Sequence, residues 1–296
     1  MRPLVSVVLP NYNYGSFLKE SVEAILNQSC NDFELLITDD FSTDNSRDII
    51  ETLRRKDKRI FFIYNNTNLG ASYSRNKAME KSAGKYIAFC DADDIWNKDK
   101  LKIQIENLET KREYDVTFCD SMIIDQQGTE TGVTFGSMYG KVEYSEGSLF
   151  EQLCESNFIN NSTVLLRRSC LEKVGLLDER LRYLQDWLYW ICLARHFKFL
   201  FIDKILAKYR RHSRSSDHDR VGYCKERIMV RKTIMERFLD LPNTMKSSLY
   251  YRTANDYAYL KEKRIAYANY VMSLRYNKTN PKSFLRILSL PFKPSY

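Results

Sequence analysis

Residues 4–15 read LVSVVLPNYNYG, a short apolar and β-branched run closed by Pro10 and a polar loop. A continuous apolar run of this length, without alternation, is how a strand buried on both faces of a parallel sheet reads. The same unit then repeats along the chain. Phe17, Leu18, Val22, Ile25 and Leu26 share one face of a helix. FELLIT (33–38) is a second strand ending in DDFSTDNS, and Ile49, Ile50 and Leu53 mark a second helix. IFFIY (60–64) and NNTNLG lead to a helix over Ala71–Ser82, and YIAFC (86–90) runs into DADD before a helix over Trp96–Lys111. Four strands alternating with helices predict a doubly wound, mostly parallel α/β sheet. Chain order then puts PNYNYG, DDFSTD, NNTNLG and DADD on the rim formed by the carboxyl ends of the strands, where such sheets bind ligands.

Beyond Tyr114 the alternation loosens. VTFC (116–119), SMIID (121–125) and STVLLR (162–167) read as strands, Leu184–His196 as a helix, and FLFID (199–203) with LAKYR (206–210) as a closing pair. Three or more amphipathic helices follow Val221. The expected organisation is a domain over 1–220, divided near 115 into a nucleotide-binding half and an acceptor half, and a helical extension over 221–296.

Of the 296 residues, 44% are hydrophobic, enough for a core and too many for a disordered chain. No apolar run approaches the roughly 20 residues of a membrane span, and the first residues lack a signal-peptide core, so a cytoplasmic chain is expected. Seven scattered cysteines without C-x-x-C form neither a disulfide framework nor a zinc pattern. Charge is unevenly placed: 221–296 carry 15 Lys+Arg and 5 Asp+Glu, a net of +10, whereas 1–220 carry 31 − 33 = −2. The extension, rich in tyrosine as well, is either the solvated face of a helical bundle or a surface for an anionic partner. No nucleic-acid motif accompanies it.

Two acidic clusters carry the chemistry. Asp91, Asp93 and Asp94 follow a buried strand, and carboxylates this close repel unless a cation joins them. Hard oxygen donors without cysteine suit Mg²⁺ or Mn²⁺ shared with substrate phosphates. Asp39 and Asp40 end the neighbouring strand, where a carboxylate can read a base or ribose, or cap the next helix. A nucleotidyltransferase would also place carboxylates at strand ends, but its phosphate loop is normally richer in glycine than PNYNYG.

The ordered series VSVVLPNYNYGSFLKESVEAILNQ, FELLITDDFSTDNS, NLGASYSRNKAM, YIAFCDADDIW, RRSCLEKVGLLDE, LQDWLYWICLARH and YRRHSRSSD resembles family 2 glycosyltransferases of the GT-A fold over about residues 4–213. The resemblance implies an inverting, metal-dependent transfer of a sugar from a nucleotide-sugar donor, a UDP-sugar, to a glycan or undecaprenyl-type lipid-linked acceptor in surface-polysaccharide synthesis. It implies that Pro10 and Tyr12 line the base and that Asp40 reads its edge, with Asp39 assisting. Asp91-Ala92-Asp93 matches the D-x-D motif that faces ribose and metal, and His212 matches a histidine near the diphosphate that can ligate the metal. Arg75 and Asn76 resemble a stretch near the nucleotide; Arg75 is either a phosphate contact or the partner of an aspartate. Asp186 matches the catalytic base, preceded here by Gln185 where the family usually has Glu. Asn161, Ser162, Gln185 and Trp187 are candidates for the sugar or acceptor pocket. The basic extension would then meet the inner face of the plasma membrane. The alternative reading keeps the fold without catalysis, as a nucleotide-sugar-binding scaffold protein.

Overall fold

The computed structural model describes residues 2–139, 148–213 and 219–289. These form two compact units, one of Met1–Phe150 with Asn157–Ser215, the other of Glu151–Ser156 with Ser216–Tyr296. The first unit is built on a mixed sheet of nine strands in the order β3-β2-β1-β4-β8-β6-β9-β5, with β7 also paired to β6. Strands β1 (Val5–Asn11), β2 (Phe33–Asp39), β3 (Ile60–Tyr64) and β4 (Tyr86–Phe89) are mutually parallel, as their continuous apolar runs predict. Helices α1 (Gly15–Leu26), α2 (Ser46–Lys56), α3 (Ala71–Lys81) and α4 (Lys100–Thr110) cover them. α1 buries Leu18, Val22 and Ile25 against Val5, Val7 and Leu9, so its 3.6-residue stripe meets the strand run directly. The four polar loops therefore share one rim.

Several boundaries differ from the sequence reading, each for a local reason. Strand β1 continues through Pro10, which pairs opposite Thr38 of β2. On the other side β4 has already ended opposite Val8, so the proline removes no bond that β4 could have supplied. The helix expected from Trp96 starts at Lys100. Ile95–Trp96 is instead a two-residue strand, β5, antiparallel to β9. β6 (Val116–Ile124) is one strand where two were expected, and β9 (Phe199–Arg210) is likewise one strand rather than a closing pair. Register shifts around Asp120 and the exposed Asp203-Lys204-Ile205 step absorb the polar breaks that read as turns. The stretch from Ser162 begins as a 3₁₀ turn over Asn161–Thr163, and only Leu165–Arg167 forms β8. β8 is antiparallel to β4 and β6, so the parallel run ends there. β7 (Glu130–Thr134), α5 (Phe150–Glu155) and α6 (Arg168–Val174) carry too weak a period to be read from sequence. α7 (Gln185–Ala194) falls inside the expected helix.

The second unit contains α8 (Arg220–Arg237), α9 (Asn243–Tyr259), α10 (Lys263–Tyr276) and α11 (Pro281–Ser289). Most of α5 belongs to it: Glu155 accepts from Ser248 Oγ at 3.1 Å and from Arg252 at 2.9 Å. Within it, buried Asp256 is held by Arg227 and Arg231 at 2.6 and 2.5 Å. No helix of the described residues is long and apolar enough to cross a membrane.

Beneath the rim, Lys100 is fully buried at the first turn of α4, its Nζ 2.7 Å from Gln104 Oε1 and 4.0 Å above the Trp96 ring. Burial pushes its pKa down to about 8. Between pH about 8 and 10.5 the unfolded chain keeps a proton that the folded chain has released, so this lysine makes stability rise with pH. Lys100→Met should abolish that rise, a difference of about 2–3 kcal/mol across the window. Paired denaturant titrations at pH 7.5 and 10, roughly the two ends of the window, check it; parallel curves for the two proteins would contradict it.

Candidate active site

The rim begins where β1 and β2 end. Asp39 is fully buried; its carboxylate accepts from Asn11 Nδ2 at 2.8 Å and Ser42 N at 3.0 Å, with Arg47 Nε 3.5 Å away. The Arg47 guanidinium lies 3.6 Å from the Tyr64 ring centre and 5.8 Å from that of Phe41. Tyr12 is 41% and Phe41 43% exposed, so two rings on this rim are open to a planar ligand. Asn13 fastens the first loop to the second, its Oδ1 accepting from Thr43 N at 2.7 Å while its own N–H donates to Ser42 Oγ at 2.9 Å. Asp40 is occupied differently from its expected part at the base edge. It accepts from Asn65 Nδ2 (2.8 Å), Leu69 N (2.9 Å) and Gly70 N (2.7 Å), fixing the approach to α3. Gly70 adopts φ +92°, a region that suits glycine, which lets both N–H groups face that carboxylate.

At the end of β4 three aspartates occupy one turn, and each has its own holder. Asp91 Oδ1 accepts from Arg75 at 2.5 Å and from Asn161 Nδ2 at 2.9 Å. Asp93 Oδ2 lies 2.9 Å from His212 Nε2. Asp94 is buried, accepting from Ser162 Oγ and from Arg210 N at 3.0 Å. Burial raises the pKa of Asp93 and Asp94, against the lowering pull of His212 on the first and of the Ser162 and Arg210 bonds on the second. The imidazole of His212 stacks on Phe17 with centroids 4.9 Å apart and meets Tyr14 edge-on, so α1 fixes its direction.

Among the described residues no group of three or more His, Cys, Asp or Glu side chains is arranged to hold a metal. The donors present still fit a divalent cation. One carboxylate and one imidazole stand side by side, and Mg²⁺ or Mn²⁺ normally completes its sphere with substrate phosphates and water. Such a ligand would meet waiting donors: Nε and Nη1 of Arg75 are buried without a hydrogen-bond partner, beside Asp91.

Asp186 opens α7. Its Oδ1 accepts from Trp187 N at 2.7 Å and its Oδ2 from Asn157 Nδ2 at 3.2 Å. Desolvation pushes its pKa up to about 6; Arg75 pulls it down and Asp91 pushes it up. Asp186 therefore stands within electrostatic reach of Arg75 and of Asp91, the first carboxylate of the D-x-D turn. Gln185 beside it is buried, with Oε1 lacking a hydrogen-bond partner.

Other expected residues take supporting parts. Ser162 has no exposed surface; its hydroxyl accepts from Asp91 N at 3.0 Å while donating to Asp94, and its carbonyl accepts from Trp96 Nε1 at 2.8 Å. It braces the acidic turn rather than lining a pocket. Asn76 is buried and joined to the 177–179 segment through Leu177 N, Leu177 O and Glu179 at 2.9–3.0 Å, away from any open surface. Ala92 and Trp187 are buried, and Pro10 is half-buried within β1. Arg210, not singled out from sequence, is 2% exposed. It donates to Asp93 O at 2.9 Å, Gln126 O at 3.1 Å and Glu20 at 2.6 Å, tying β9 to the acidic turn and α1. Nothing in the sequence Arg210-Arg211-His212 separates the buried arginine from the exposed one; only the structure does.

Comparison with known proteins now bears on this rim. Residues 6–175 match the family described as Glycosyl transferase family 2. The chain belongs to that family. As a family 2 glycosyltransferase it is 33% identical over 210 residues to the putative teichuronic acid biosynthesis glycosyltransferase TuaG of Bacillus subtilis, covering 71% of this chain and 79% of the relative. It is 35% identical over 223 residues to an uncharacterised glycosyltransferase of Methanocaldococcus jannaschii, covering 74% of this chain and 75% of the relative. Residues 1–349 of S. aureus TarS, crystallised with UDP-GlcNAc, superpose with a TM-score of 0.68 at 18% identity, covering 92% of this chain and 81% of that one. The mannosyltransferase PcManGT of Pyrobaculum calidifontis, in complex with GDP-Man and Mn²⁺, gives 0.64 at 14% identity, covering 97% and 79%. These likenesses show the fold of this family 2 glycosyltransferase, GT-A with C-terminal helices.

Removing the brace should be costly. Ser162→Ala leaves the buried Asp94 with fewer donors, and a loss of about 1–3 kcal/mol is expected. Equilibrium unfolding checks it; a change within experimental error would place the support elsewhere.

Proposed function

We propose that the chain is an inverting, metal-dependent glycosyltransferase. It moves a sugar from a UDP-sugar, of the hexosyl or N-acetylhexosaminyl class, to a hydroxyl of a glycan or undecaprenyl-type lipid-linked acceptor in surface-polysaccharide synthesis. The name of TuaG and the UDP-GlcNAc complex of TarS support the substrate class. One observation carries the catalytic reading: the half-buried Asp186 carboxylate is fixed at the start of α7 by Trp187 N and Asn157 Nδ2, and desolvation lifts its pKa to about 6 while Arg75 and Asp91 act on it with opposite sign. A scaffold protein would have no need of a desolvated carboxylate beside the D-x-D turn.

In this reading the base rests on the rim of Pro10 and Tyr12 with the Asp39 and Asp40 loops behind it, and the diphosphate faces Asp91, Asp93, His212 and the unpartnered N–H groups of Arg75. Asn161 and Gln185 border the sugar, Gln185 offering its unpartnered Oε1 to a hydroxyl. A divalent ion held by Asp93 and His212, with Asp91 nearby, would act as a Lewis acid toward the leaving diphosphate. The acceptor oxygen attacks the anomeric carbon as the bond from that carbon to the phosphate oxygen breaks. The electron pair leaves with the nucleoside diphosphate, and the hydroxyl proton passes to the Asp186 carboxylate. Attack on the face opposite the leaving group inverts the anomeric centre. A base with a pKa near 6 is mostly ionised at neutral pH yet basic enough to take a proton.

Asp186→Asn should keep donor binding and lower transfer by roughly 10²–10⁴-fold. In the unaltered protein kcat/KM should fall as pH drops through about 6, where the base takes a proton. The same raised pKa makes the folded state lose stability as pH rises from 3.8 to about 6, a slope absent in the Asn variant. Full activity of Asp186→Asn on a soluble acceptor would remove it from the mechanism. Asp93→Ala should abolish the Mn²⁺-dependent part of donor binding, read by calorimetry with a panel of nucleotide sugars; unchanged metal-dependent affinity would refute the assignment.

A further inference from the structure

Helix α11 turns the small polar Ser283 and the apolar Ile287 inward and leaves Phe284 and Leu285 facing out. Ser283 is buried, its hydroxyl 2.8 Å from Ser273 Oγ of α10, and Ser273 bonds in turn with Ser247 of α9 at 2.8–3.0 Å. Asn280 joins the same cluster through Ser247 and Ser273 at 3.1 and 3.2 Å. One turn on, Ile287 packs against the core of Ala254, Ala266 and Tyr270. With those contacts fixing the inner side, Phe284 and Leu285 are left 57% and 64% exposed. Lys282 and Arg286 flank them, also exposed.

The stretch of sequence that carries α11 has one sign of charge. From Lys263 to Tyr296 the sequence has seven Lys or Arg and no Asp or Glu. Arg275 and Lys278, in and after α10, are exposed as well. A single-signed field of this kind would repel a second copy of itself. It attracts a surface that is negatively charged and has an apolar layer beneath its charge. Two exposed apolar side chains inside a basic frame are what an interfacial helix presents to a bilayer, the apolar residues entering at the headgroup boundary while the cations stay with the phosphates.

The geometry points to α11 as a membrane-docking element that seats Phe284 and Leu285 in the surface of an anionic bilayer, with Lys282, Arg286, Arg275 and Lys278 on the lipid phosphates. This deepens the expectation that residues 221–296 meet an anionic surface, and it stands apart from the catalytic reading, since donor chemistry can be assayed without lipid.

The test uses the full chain and sedimentation with vesicles at physiological salt. Vesicles of phosphatidylcholine with phosphatidylglycerol should retain the protein, and phosphatidylcholine alone should not. Phe284→Ser combined with Leu285→Ser should weaken binding to the anionic vesicles by roughly tenfold or more, given the apolar area these side chains bury. Lys282→Glu combined with Arg286→Glu should weaken it at least as much and reduce its dependence on salt. All four positions are exposed, so circular dichroism and metal-dependent donor binding should match the parent protein. Three results would each overturn the proposal: no retention on anionic vesicles, equal retention of the Ser variant, or a drop in solution mass on Phe284/Leu285 replacement, which would mark a contact between copies. Loss of donor binding in every form, with vesicle binding intact, would instead overturn the enzymatic reading alone.

Discussion

The structure depends on keeping three carboxylates in four consecutive positions. At such spacing their mutual repulsion and loss of water favour protonation or separation, and burial of Asp94 sharpens the conflict. The chain resolves it with a different neutral or cationic partner for each: Arg75 and Asn161 for Asp91, His212 for Asp93, Ser162 and the Arg210 amide for Asp94. Those partners come from α3, the 161–163 turn and the end of β9, three regions far apart in sequence. The sheet brings them together, because β4 lies beside β8 and β9 reaches the two-residue strand that follows the acidic turn.

Local order on the nucleotide side follows a similar logic. Asp39 and Asp40 are adjacent in sequence but serve separate loops, one joining the first and second rim loops, the other the approach to α3. The rings of Tyr12 and Phe41 stay exposed on this rim. Arg75 keeps two buried N–H donors without partners, and Asn11 Oδ1, Arg47 Nε and Gln185 Oε1 are likewise unsatisfied. Buried polar groups without partners are uncommon in native structures, so those at Arg75, close to Asp91, call for an explanation.

Much of this was legible in the sequence. The four parallel strands announce themselves by uninterrupted Val, Ile, Leu and Phe runs, since both faces of each strand are covered. The acidic and aromatic motifs of the rim stand out by composition. What was hidden depended on pairing across distance. Nothing in SMIID or LAKYR tells that each continues the strand before it, because a bulge and a turn share the same polar residues. Likewise the hydroxyl of Ser162 and the guanidinium of Arg210 acquire meaning only beside Asp91 and Asp94, and Asn76 only beside Leu177 and Glu179.

β9 spans 12 residues, with a bulge at 203–205, and ends on the buried Arg210, which exposed Arg211 and buried His212 follow. Side chains on a strand change sides at every step, so losing or gaining one residue within it would swap those orientations and present Arg211 where the acidic turn needs its neighbours. A longer rim loop leaves that alternation intact, whereas one residue gained or lost within β9 should turn His212 away from Asp93.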